Sequence, residues 1–223
     1  MHGETYRIAT LHAELTRKGP SVLLRDIERG KDKQIAALSE LCRILAPDIL
    51  LLTKVDFDLE QRTAAALQSV LQFKHRFTLP PNSMAPTSYD LDGDGRKEDR
   101  QTWARYAGEG GMLLLSNYPV KLEFHLNDLL WRDAENAPMP VDASAQPFLS
   151  EEARNTIRLV SQGFWILTIT PDHSAPITMI AFQNQTPVFD GPADLNGLRN
   201  RGQLGLISAL LYETYGTTPN GLV

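Results

Sequence analysis

Residues 49–53, Ile-Leu-Leu-Leu-Thr, form an unbroken apolar run. So short a run, with no polar alternation, fits a strand covered on both faces. Its approach narrows the choice further. In Asp32–Leu45 (DKQIAALSELCRIL), residues Ile35, Leu38, Leu41, Cys42 and Leu45 recur at helical spacing, Asp32 stands as N-cap, and Pro47-Asp48 stops the helix. Tyr6–Ala13 (YRIATLHA) alternates as a first strand. Strand, helix, strand in this order is an α/β signature.

The rest of the chain extends that pattern. Gly19-Pro20 lies in a polar segment expected to break regular structure. Leu59–Leu71 reads as a second helix, and residues 79–110 as a long loop with an Asp-rich turn. Met112–Ser116 and Leu122–Leu126 read as strands, and residues 127–150 as an irregular loop. Ser150 opens an imperfect capping box, with Ala153 where Glu is preferred. Phe164–Thr170 and Ile177–Phe182 are strong strands, and Gly202–Tyr215 looks helical. With 223 residues and no internal repeat, the expectation is one domain over 1–223.

Composition narrows the function classes. A net charge of −5 and pI near 5.5 offer no basic surface for nucleic acid, so that partner is not expected. The single cysteine, Cys42, excludes an internal disulfide and reads as a buried thiol. The opening MHGETYRIAT has no apolar leader core, and no apolar run is long enough to span a membrane, so the expected compartment is cytoplasmic.

One motif carries chemistry by spacing alone. Asp90, Asp92 and Asp94 with Gly95 form D-x-D-x-D-G, the front half of a Ca²⁺ loop. Gln101 stands where the closing Glu belongs, and Glu98 and Asp99 are alternative ligands. A structural Ca²⁺ site and a solvated acidic turn are both compatible with these residues. Trp103, Arg105 and Tyr106 read as anchors of this loop to the body. His75 and His125 show no ligand spacing.

Five strings together resemble the endonuclease/exonuclease/phosphatase superfamily, the DNase I-like fold. They are RIATLHAELTRKGP, PDILLLTKVDFD, SYDLDGDGR, GEGGMLLLSNYPV and TPVFDGPADLNGLRN, in the family's order and across most of the chain. The resemblance implies a four-layered α/β sandwich: two mixed sheets face to face, with helices outside. It implies a site at one edge of the sandwich where strand ends converge, using Mg²⁺ held by carboxylates and a His–Asp pair to hydrolyse phosphoesters.

The residues expected there are replaced. His12 stands for an Asn, Lys54 for the metal-binding Glu, Gln162 and Phe164 for a Lys and a His before Trp165, and Gln183 for the catalytic His. The family continues to a G-D-x-N motif and a closing Asp-His, which this sequence does not reach. The resemblance therefore predicts a C-terminally short sandwich. Its uncovered edge would pair with a second copy or another chain, or leave the protein low in stability.

Three functions are compatible with this. The first is an inactive pseudoenzyme with a binding or assembly role. The second is an active Mg²⁺-dependent phosphoesterase with a rearranged site drawn from Glu14, Asp56, Asp58, Asp190 and Asp194. The third is a calcium-stabilised structural module. In the first case Lys54 replaces the cation, amid Glu14, Asp56 and Asp58. Asp190, Asp194, Asn196, Arg199 and Asn200 form either a remnant substrate-facing loop or a self-bonded turn with Arg199 paired to an acid.

Overall fold

The apolar run at 49–53 lies inside β2 (Ile49–Val55), an interior strand of a four-stranded sheet. The computed structural model describes residues 5–135 and 137–215, with only the backbone of 213–215. The sheet runs in the order β1 (Ile8–Leu15), β2, β4 (Gly111–Ser116), β3 (His75–Phe77). β1 and β2 are parallel, and the other pairs are antiparallel.

The alternating side chains of β2 explain why its sequence does not alternate. Leu50 and Leu52 face a helical layer. It is made by α1 (Val22–Arg29), α2 (Lys33–Leu45) and α3 (Arg62–Val70), through Leu23, Ile27, Ile35, Leu38 and Leu67. Ile49 and Leu51, with Met112 and Leu114, face Trp165, Leu167, Ile169 and Ala181 of a second sheet. Both faces are dry, so both sets of positions must be apolar.

The second sheet is β5 (Val120–His125), β6 (Gly163–Ile169) and β7 (Ile177–Gln183), in that order. Its outer face, Phe164, Ile166, Ile180 and Phe182, is covered by Leu206, Ile207 and Leu210 of α5 (Leu195–Tyr215). The layers are therefore helix, sheet, sheet, helix. The second sheet is wholly antiparallel rather than mixed; a short link joins β6 to β7, while the long segment 126–162 with α4 separates β5 from β6.

A satellite core lies beyond the sheets. Leu91, Trp131, Leu149, Ile157, Leu159 and Leu195 gather the loops 79–110 and 127–150 around the short helix α4 (Glu151–Arg154) and the start of α5. The irregular segments are thus packed, although they contain little regular structure.

Asp32 caps α2 as expected, accepting from the Gln34 and Ile35 amides at 2.9 and 3.0 Å. The Ile35 bond, ahead of the Arg17 guanidinium, holds its carboxyl below the usual value. Ser150 caps α4 by accepting from Ala153 N at 3.1 Å. Three readings are corrected. Gly19-Pro20 breaks regular structure as expected, but α1, which was not expected, starts at once after it, with Leu23, Leu24 and Ile27 as its buried face. β3 was not expected; it is three residues long and paired only to β4, too short to show a pattern. The last helix begins at Leu195, ahead of the expected Gly202. The reading of the first residues falls partly, and that of 216–223 wholly, outside the described residues.

Candidate functional site: a strand-end rim and a loop groove

The C-terminal ends of β1, β2 and β7 converge at one rim with the first residues of β4 and β6. β1 and β2 both bulge there: the register shifts between His12 and Leu15 on one strand, and between Thr53 and Val55 on the other. Glu14 (φ 49°) and Lys54 (φ 58°) occupy the bulges in the left-handed region, which disfavours side chains with a Cβ. Bulges of this kind re-aim side chains at sheet ends.

The re-aimed groups mostly bond to one another. His12 Nδ1 lies 2.9 Å from Thr53 Oγ1, and His12 Nε2 lies 2.8 Å from Glu14 Oε1. The His12 and Glu14 side chains are 56% and 63% exposed, so the pair contributes less than about 1 kcal/mol. The Lys54 amide donates to Gln183 Oε1 at 3.2 Å, tying the two sheets together across the rim. The half-buried Lys54 stem lies against Gly110, and its ammonium forms no ion pair with Glu14, Asp56 or Asp58.

Asp56 is buried beneath the rim. It accepts from the amides of Arg17 (2.9 Å) and Gly110 (3.4 Å), and Tyr106 bonds to it as well. Burial pushes its carboxyl up, outweighing those bonds, and Glu109 adds to the rise. Burial and the neighbouring Asp56 also raise the Tyr106 phenol. Nearby, Gly108 adopts φ 90° and its carbonyl accepts from Phe57 N at 2.8 Å; a Cβ there would fall 2.3 Å from Phe57 O. Only glycine fits this approach.

Asp58 is spent on α3, accepting from Arg62 N at 2.9 Å and Thr63 N at 2.8 Å. Burial raises its carboxyl, but the Thr63 bonds outweigh that and leave it below the usual value. The two positions expected on the late strand turn inward. Phe164 stacks on Phe182 at 5.7 Å under α5, and Gln162 is buried with its Oε1 unbonded.

Mg²⁺ demands near-octahedral oxygen ligation with little tolerance. At the rim Glu14 is paired to His12, Asp56 is enclosed by backbone donors, and Asp58 caps a helix. These residues do not fit the Mg²⁺ that the resemblance implies.

The larger opening lies elsewhere. A groove of about 720 Å³ separates the Asp-rich loop from residues 185–199. Carboxylate oxygens of Asp90, Asp92 and Asp99 can approach within 4.8 Å of one another, which suits a shared cation. Asp94 is not in this cluster; its Oδ1 accepts from Arg96 N at 2.7 Å. Asp99 takes its place because the loop folds back, with Leu91 N donating to Asp99 Oδ2 at 2.7 Å. Burial, followed by the neighbouring carboxylates, pushes the Asp92 carboxyl up. Gly93 lets the loop press on Phe148, where a Cβ would meet the ring at 2.2 Å.

The opposite wall is largely self-bonded. Asp190 Oδ2 accepts from Asn196 N at 2.5 Å, Asn196 donates to Val188 O, and Asn200 donates to Gln185 O. Asp194 adopts φ 51° before α5, with its carboxylate beside Gly197. Arg199 departs from the paired reading. It is 4% exposed, donates from Nη2 to Arg158 O at 2.8 Å, and lies over the Trp131 ring at 5.4 Å. Among the described residues no acid pairs with it, its Nε is unbonded, and burial pushes its guanidinium down to about 10.

Trp103 does not anchor its loop; it is 78% exposed beside the groove. Tyr106 does anchor it, donating to Arg17 O at 3.1 Å, while Arg105 pairs within the loop to Glu109. Thr53, Phe148 and Phe189 were not singled out by sequence. TPVFDGPADLNGLRN flagged one wall of the groove and SYDLDGDGR the other, but nothing in either string signals that they meet.

These layers and their order define a four-layered α/β sandwich. No protein-family model and no curated protein matches the chain. Among solved structures it is similar to the crystal structure of an endonuclease/exonuclease/phosphatase from Beutenbergia cavernae DSM 12333, with 16% identity and a TM-score of 0.46. The likeness covers 91% of this chain and 42% of that one, so the chain spans less than half the length of that protein.

Proposed function

We propose that this chain is a catalytically inactive relative of the endonuclease/exonuclease/phosphatase proteins, with a role in binding or assembly. The observation that carries this reading is how the rim acids are used. Asp56 and Asp58 satisfy backbone donors, Glu14 holds His12, and Lys54 sits at the bulge where a ligand carboxylate is expected. Hydrolysis through Mg²⁺ needs carboxylates converging on one ion, and these acids point to three different partners.

Calorimetry with Mg²⁺ and Mn²⁺, alongside a phosphodiesterase assay, tests it. The parent is expected to show neither rim binding nor turnover. Lys54→Glu should gain metal binding, since it removes a repelling charge and supplies a ligand. Turnover in the parent that chelator abolishes would overturn the reading in favour of a rearranged active site.

A calcium-stabilised module is a second reading, favoured by the approach of Asp90, Asp92 and Asp99. Ca²⁺ at a hundred times its Kd should then stabilise the fold by about 2.7 kcal/mol. An unchanged Tm in saturating Ca²⁺ counts against it.

A further inference from the structure

The flank of α2 that lies away from α3 is uncharged. On the α3 side, Ser39 Oγ donates to Val70 O at 3.4 Å. On the other side, Gln34 Nε2 donates to Ala13 O at 2.8 Å and Arg7 Nη1 donates to Leu45 O at 3.0 Å, so this flank runs alongside β1. Gln34, Ala37, Leu41 and Ile44 follow one another along it at alternating three- and four-residue spacing, the repeat of a helix–helix seam. Lys33, Glu40 and Arg43 lie off the seam. Leu41, Ile44 and Leu45 are 39%, 62% and 48% exposed, because the core beneath α2 takes Ile35, Leu38 and Cys42 instead.

β1 is the end strand of its sheet and pairs with β2 alone among the described residues. Arg7 O accepts from Ile49 N at 3.2 Å, so the alternation of the strand turns the N–H and C=O groups of Ile8, Thr10 and His12 away from β2. These groups form a bare edge beside the α2 flank, where Ile8 is 53% exposed. A bare edge is a template for another strand, and here an apolar helix flank lies next to it.

We propose that this face joins two copies of the chain about a two-fold axis. β1 pairs antiparallel with β1 of the second copy, and α2 packs antiparallel on its counterpart through Ala37, Leu41 and Ile44. A second copy suits the face because the axis that pairs β1 with itself also brings the two α2 seams together. The same axis sets the exposed Arg7 before each β1 near the exposed Glu14 at the far end of the other, and it opposes the two helix dipoles. The face is about 20 Å long, the length of α2, and covers on the order of 500 Å² per copy. A standard interface covers about 800 Å² per partner, so the association is reversible, with a Kd of tens of micromolar. It stands independently of whether the rim is catalytic.

Sedimentation equilibrium of the full chain from about 1 to 500 μM tests it, and the average mass should rise from monomer to dimer across that range. Ile44→Glu, at an exposed helix position, should weaken the dimer at least tenfold while circular dichroism and Tm stay unchanged. Thr10→Pro removes one N–H from the bare edge, leaves the ladder to β2 intact, and should weaken the dimer to a similar extent. Leu204→Glu, equally apolar and exposed but on α5, should leave the dimer as it is.

A monomer at every concentration, or a dimer that Ile44→Glu and Thr10→Pro leave intact, would overturn the proposal. Loss of the dimer in Leu204→Glu but not in Ile44→Glu would place the contact on α5 and overturn it as well. Mass growing beyond the dimer would overturn the two-fold arrangement, since such a contact closes at two copies.

Discussion

The rim and the groove both hold acidic residues beside a cation and satisfy them with backbone donors, but at the rim those bonds tie distant elements together while in the groove they stay within the loop or its neighbouring turn. At the rim each acid has a structural partner: His12 for Glu14, buried amides for Asp56, and the first turn of α3 for Asp58. In the groove, burial and then the acidic neighbours raise Asp92, and Arg199 lies buried with no acid paired to it among the described residues. Charge consumed by the fold stabilises the fold and leaves little for a ligand. Charge left unbalanced costs stability and is where a ligand gains most.

Removing single side chains should separate the two regions. The largest effect is expected for Asp56→Ala, which strands the Arg17 and Gly110 amides beneath the rim. Urea unfolding should show a loss of about 2–4 kcal/mol. A loss below about 1 kcal/mol would mean that water replaces the carboxylate and that the rim is open. Asp58→Ala removes a helix cap and should cost about 1 kcal/mol, with no change in metal binding.

Asp92→Asn should act in the other direction. In calcium-free buffer it should be neutral or stabilising by a few tenths of a kcal/mol, as surface changes usually are. Its pH dependence follows from the raised carboxyl. The folded state binds the proton more tightly than the unfolded chain, whose value is near 3.8. The parent therefore keeps its full stability below that pH and loses some as pH rises through the higher folded value. Asp92→Asn should flatten that decline, and an unchanged pH profile would show that the groove acids do not strain one another.

The sequence alone determined the elements whose signals are local. The dry run at 49–53 specified an interior strand because both of its faces are covered. Asp32 and Ser150 marked helix starts because a cap acts within three residues. α1 and β3 were less legible: α1 follows a Gly-Pro turn that also fits a break, and β3 exists only by pairing with β4. The use of Glu14, Asp56 and Asp58 was not readable, because their partners lie on other elements or, for Asp58, depend on where α3 starts.

Only the tertiary structure decided that Asp99 and not Asp94 joins Asp90 and Asp92, and that Asp56 is enclosed by amides from residues 17 and 110. It alone decided that Arg199 is buried over Trp131, on a groove shared with an Asp-rich loop about a hundred residues earlier. Helical spacing and capping arise from neighbours along the chain. Burial, pairing and unbalanced charge depend on which distant segments the packed layers bring together.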